Sequence, residues 1–129
     1  MSVEQVLSGL QRAWNAGDAS AFAEHFGVVA DFVDVVGRHQ RGRAEIARQH
    51  RWIFDTLYRN STVEFQLLDE REVAPGVVLA HTTSTLRVPA GPRAGETRSI
   101  QTVVVQDGSI TAFHNTIRAD FDEFARGGA

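Results

Sequence analysis

The chain has 129 residues, no cysteine, a formal net charge of −3, and 13 basic residues that are all arginine. That length buries one core with room for a small cavity, in one domain over residues 1–129. Absent thiols exclude disulfides and thiolate metal sites, absent lysine excludes Schiff-base chemistry, and the acidic balance offers no basic stripe for nucleic acid.

The opening stretch lacks the basic start and apolar run of a leader, and nowhere do 18 apolar residues follow one another. Nothing here targets or spans a membrane, and a cytoplasmic setting is the expectation.

In chain order, Val3, Val6, Leu7, Leu10 and Trp14 fall on one face of a first helix, with Ser2 and Gln5 placed for a capping box and Gly17 at its end. Asp18 is placed to cap a short second helix carrying Phe22 and Phe26, stopped by Gly27. The β-branched run from Val28 to Val36 predicts a strand, Gly37 to Gly42 a polar loop, and Arg43 to Tyr58 a third helix burying Ile46, Ile53, Phe54 and Leu57.

The rest reads as strand. Val63 to Leu67 alternates, Ala74-Pro75-Gly76 turns, and Val77 to Val88 is a long strand ending at Pro89. After the loop Pro89 to Gly95, Thr97 to Gln106 forms another, and Asp107-Gly108 turns it into Ser109 to Arg118. Helix, helix, strand, helix and four antiparallel strands make an α+β domain in which a curved sheet wraps one long helix.

Asp34 stands out within Val33-Asp34-Val35-Val36, because a carboxylate on an apolar strand is desolvated and moves toward acid/base work near neutral pH. The other reading is a side chain that caps the loop. His50 lies four residues from both Ile46 and Phe54, on or beside the buried face, as a hydrogen-bonded core residue or as a pocket acid/base. Trp14 belongs to the first helix's apolar stripe and can be core or ligand platform. Gln101, Thr102, Thr83 and Thr85 offer neutral hydrogen-bonding groups on the central strands. Arg118 closes the last strand, where it steers an anionic group or pairs with Asp120 or Asp122. On that strand His114 shares a face with Ala112 and Thr116, and Asn115 takes the opposite one.

Three segments carry a resemblance: Trp14-Asn15-Ala16-Gly17-Asp18, then Ala30 to Gly37 with Gly42-Arg43-Ala44-Glu45-Ile46, and Ile110 to Thr116. Over roughly residues 3 to 118 their order and spacing resemble the SnoaL-like branch of the nuclear transport factor 2-like superfamily, and within it the SgcJ/EcaC-type proteins. The resemblance implies a cone-shaped, cystatin-like α+β roll whose mouth holds a small-molecule site, usually in a homodimer. It implies that Asp34 occupies the place of the proton-shuttling carboxylate of ketosteroid isomerases and that His114 faces the cavity. The sequence departs from those isomerases at the oxyanion tyrosine, where Leu10 stands, and at the partner acid, where Gln101 stands, so an enolate would lose its usual donors.

His25, His39, His50, His81 and His114 show no metal-ligand spacing, no Gly-rich loop opens a helix, and no nucleophile elbow is present, so neither metal nor cofactor is implied. The expected function is binding of a hydrophobic, oxygenated molecule of polyketide type, enediyne pathways included, followed by cofactor-free cyclisation or isomerisation. Asp34 is the base, His114 or His50 the acid or orienting donor, Gln101 the oxyanion donor, and Trp14, Thr85 and Arg118 contact substrate. The alternative is a noncatalytic binder or scaffold. A sheet face rich in Val, Ile and Thr suits a homodimer.

Overall fold

The computed structural model describes residues 1–127. Ser2 and Gln5 exchange side-chain to backbone bonds of 2.8 and 3.2 Å, closing a capping box at the start of helix α1 (Val3–Asn15). α1 buries Val3, Val6, Leu7, Leu10 and Ala13 and ends where Gly17 turns at φ +65°. The Asp18 carboxylate then accepts from the Ala21 N–H at 3.0 Å and caps α2 (Ala19–Glu24).

Strand β1 runs Phe26–Val33, two residues earlier at its start and three at its end than the apolar run predicts. Its end is set by Asp34, whose Oδ1 accepts from the backbone N–H of Val36 at 3.1 Å and of Arg38 at 2.9 Å. That turn, with Gly37 at φ +84°, folds the chain back into β2 (His39–Arg41), inside what reads as loop. Three residues are too few for a period-2 signal.

α3 (Arg43–Asp55) stops three residues short of Tyr58. Thr56 Oγ1 donates to the Trp52 carbonyl at 2.7 Å, taking the acceptor its own N–H would use in a continuing helix. The turn that follows directs Leu57 and Tyr58 inward, toward the sheet's concave side.

β3 (Thr62–Ala74), β4 (Val77–Val88), β5 (Gly95–Gln106) and β6 (Ser109–Ile117) complete one six-stranded sheet in the order β2-β1-β6-β5-β4-β3, followed by α4 (Phe121–Ala125). β1 and β6 run parallel; every other neighbouring pair is antiparallel. β3 continues well past Leu67 because its outer half pairs only with β4 and meets water on both faces, so Asp69, Glu70, Arg71 and Glu72 carry no alternation.

Register shifts in β1, in β3 and between β5 and β6 bend the sheet. The shift in β1 leaves Val28 and Val29 exposed at 70% and 78%. The result is an α+β cone with a curved, unclosed sheet. α1, α2, α3 and the inner strand faces share one core, with Leu10, Phe22, Phe26, Ile46 and Ile110 fully buried. Among the described residues no helix is long and apolar enough to cross a membrane.

Candidate functional site

Because Phe113 is buried in the core, alternation along β6 turns Asn115 and Ile117 toward the concave side and His114 away from it. Asn115 pairs in register with Gln101, and Gln101 with Thr82. These inward side chains bond one another: the Thr82 hydroxyl donates to Gln101 Oε1 at 2.6 Å, and Gln101 Nε2 donates to Ser84 Oγ and Asn115 Oδ1, both at 2.9 Å. Buried polar groups are stable only when paired, and this ladder pairs them beneath the cavity.

Opposite the ladder stands an aromatic wall. His50 is 2% exposed and stacks on Phe22 with ring centres 4.4 Å apart, while Phe32 meets it edge-on at 4.9 Å. Its Nδ1 lies 2.7 Å from the Ile46 carbonyl. A carbonyl can only accept, so Nδ1 carries the hydrogen and Nε2 keeps a lone pair. Burial lowers the His50 pKa to about 4, against the opposing pull of the Ile46 bond and the Asp34 charge. The ring is therefore neutral at pH 7. Trp14 closes this wall, fixed by an Nε1–H bond of 2.9 Å to Ser61 Oγ.

Between ladder and wall lies a cavity of about 290 Å³, open at the mouth of the cone. Its lining is mostly apolar, and its titratable members are His50, Asp34, Tyr58, Arg38 and Arg93. Asp34 Oδ2 accepts from Arg38 Nε at 2.7 Å, so three of the carboxylate's roughly four acceptor sites are occupied. Burial raises the Tyr58 pKa, with Arg93 opposing and Asp34 adding to the rise, so its hydroxyl remains a donor. Among the described residues no group of three or more His, Cys, Asp or Glu side chains could hold a metal ion.

Of the residues singled out in the sequence, Asp34, His50 and Trp14 line this cavity together. Asp34 does so from the turn after β1, as a loop cap as well as a cavity carboxylate. Three others are corrected. His114 is exposed on the outer face, because the burial of Phe113 fixes the parity of β6. Thr85 points outward by the alternation of β4, between inward-facing Ser84 and Leu86. Arg118 lies beyond the end of β6, exposed and outside the lining. Gln101 faces inward but beneath the lining, with both amide hydrogens spent on Ser84 and Asn115. The sequence reading missed Asn115, Ser84, Gln40, Tyr58 and Arg93. For Asn115 the signal was available: Phe113, two residues earlier, is the bulkiest apolar side chain of its strand.

An α+β cone with a cavity on the concave side of its sheet defines a broad structural class. The chain belongs to the SnoaL-like domain family, which matches residues 7–113. No curated protein matches it. Among solved structures, a domain of unknown function with a cystatin-like fold from Nostoc punctiforme is 24% identical, with a TM-score of 0.82, covering 96% of this chain and 80% of that one. An uncharacterised protein with a cystatin-like fold from Caulobacter vibrioides is 27% identical at a TM-score of 0.80, covering 96% of this chain and 92% of its own. A ketosteroid isomerase-like protein from Erwinia carotovora atroseptica is 11% identical at 0.73, covering 92% and 95%, a likeness of fold alone.

Proposed function

We propose that the cavity binds a hydrophobic, oxygenated small molecule of the polyketide type, enediyne-pathway intermediates included, and that the protein isomerises or cyclises it by cofactor-free proton transfer. In this reading the chain is an SgcJ/EcaC-type member of its family, working in the cytoplasm. The observation that carries it is a carboxylate and a neutral imidazole opening on one largely apolar cavity.

Asp34 Oδ2 has an acceptor site left and takes a proton from the carbon beside a substrate carbonyl. Tyr58 donates to the oxygen on which the negative charge then rests, and Asp34 returns the proton at the new position. His50, with its pKa about 4, accepts a hydrogen bond through Nε2 and orients the substrate without taking up the proton at neutral pH.

The test uses 2-tetralone, a bicyclic ketone with acidic α-hydrogens, in D2O. Wild type is expected to accelerate deuterium uptake, and Asp34→Asn to lose that acceleration by roughly 10²- to 10⁴-fold with binding retained. Binding without acceleration in wild type supports the second reading, a noncatalytic binder. That reading is favoured by one feature, the three hydrogen bonds that already engage the Asp34 carboxylate.

The same reading includes a homodimer through the outer sheet face, where Leu79, Ile100 and Val104 are only half-buried. Sedimentation at micromolar concentration tests it: a species of twice 14.2 kDa is expected, and monomer alone removes the dimer.

A further inference from the structure

The cavity lining is not electrically balanced. Its charged members are Asp34, Arg38 and Arg93, while His50 is neutral at pH 7 and Tyr58 keeps its proton. Arg38 Nε donates to the Asp34 carboxylate at 2.7 Å, and these two charges offset each other. Arg93 is left over, one positive charge on the lining of a protein whose formal net charge is −3.

Arg93 sits in the turn between β4 and β5, which a 3.1 Å bond from the Ala94 N–H to the Gly91 carbonyl closes. Gly91 adopts φ +96° and Pro92 fixes the next φ, so the neighbours set the corner that carries Arg93. Its positive charge opposes the rise in the Tyr58 pKa, which puts the guanidinium within electrostatic reach of a half-buried hydroxyl on the same cavity. No carboxylate of the chain answers it. Among the described residues Arg93 makes no ion pair, and Glu96, the nearest acid along the chain, is held by Arg87 at 3.4 Å and Arg98 at 3.3 Å. An exposed guanidinium needs no partner in bulk water, but beside an apolar cleft its field is focused into the cleft and favours an anion there.

From this we infer that Arg93 recognises an anionic group and that the cavity takes a carboxylic acid. The acid's apolar body lies against the half-buried side chains of Ile53, Leu57, Leu86 and Ile117, and its carboxylate stays at the mouth on Arg93. The planar guanidinium can offer two N–H groups to the two carboxylate oxygens, and the lining then carries no net charge. The Arg38–Asp34 pair is left as it stands. The inference rests on the cavity's being a small-molecule site and narrows the hydrophobic, oxygenated ligand to an acid. Arg93 selects and positions; it transfers no proton.

Three probes of one shape isolate the charge by NMR titration of the intact protein at pH 7: anionic 2-naphthoate, neutral 2-naphthamide and cationic 2-naphthamidine. Naphthoate is expected to bind tightest and the amidine weakest, with naphthoate roughly five- to tenfold ahead of the amide at low ionic strength. The gap should narrow in about 0.5 M salt. Arg93→Met keeps the apolar stem and removes the charge, so naphthoate falls to the level of the amide. Arg118→Met changes an exposed arginine outside the lining and leaves the order of the probes as it was. Equal affinity for naphthoate and amide, a preference that survives Arg93→Met, or one lost equally in Arg118→Met overturns the acid site and leaves the cavity a small-molecule site. Binding by none of the three overturns the small-molecule reading and this inference with it.

Discussion

Strand β6 presents two faces made from much the same materials. Inward it shows Phe113, Asn115 and Ile117; outward it shows Ala112, His114 and Thr116. The neighbouring strands repeat the contrast, with Thr82, Ser84 and Gln101 inside and Thr83, Thr85 and Thr102 outside. Inside, the polar groups satisfy one another in a ladder with defined bonds; outside, water can satisfy them. The same residue type is therefore structural on one face and nearly neutral on the other, and its partners decide which.

The sharpest way to test that contrast is to change adjacent residues. Phe113→Ala empties a packed position beside Phe26 and Phe32 and should cost about 3–5 kcal/mol, whereas His114→Ala should stay within about 0.5 kcal/mol. Urea unfolding of the two variants checks this, and equal losses would break the inside–outside assignment of β6.

A smaller effect comes from the wall facing the ladder. His50 has a folded pKa of about 4, below its unfolded value of 6.5. Between these values the unfolded chain binds a proton that the folded one refuses. Stability from this group is thus complete above about pH 6.5 and falls as pH drops toward 4, by about 3 kcal/mol in all. His50→Phe should flatten this part of the pH profile. An unchanged difference between pH 7 and pH 4 would mean that His50 is not desolvated.

Smaller again is the ladder itself. Gln101→Leu leaves Thr82, Ser84 and Asn115 short of a partner and should cost about 2 kcal/mol, against less than about 0.5 kcal/mol for Thr102→Val outside. Thermal melts of the pair decide whether the ladder is satisfied as described.

The sequence revealed the parts governed by local rules. The Ser2–Gln5 box, the Asp18 cap, the Gly17 stop and the Asp107-Gly108 hairpin all act over a few residues, and all stand where expected. What it hid depends on distant partners. β2 exists because Asp34 folds the chain back on β1, and α3 ends early because a threonine hydroxyl takes a carbonyl. Within the site, the apolar surroundings of Asp34 and the spacing of His50 pointed to the cavity. The face of His114 did not follow from family register; it followed from where Phe113 could be buried. Gln40 carried no signal, since a lone Gln in a polar stretch looks like solvent-facing loop.

The parallel pairing of β1 with β6 has a kinetic side. Phe32 and Phe113 are about eighty positions apart along the chain, so joining them closes a far larger loop than any hairpin, at a correspondingly greater entropic cost. The antiparallel run from β3 to β6 can assemble through neighbours in sequence, and the α1–α2 corner through local contacts. β1 should dock last, carrying β2 with it. Substitutions at Phe32 would then quicken unfolding and leave the folding rate almost unchanged. The cavity would be the final part of the molecule to form and the first to open.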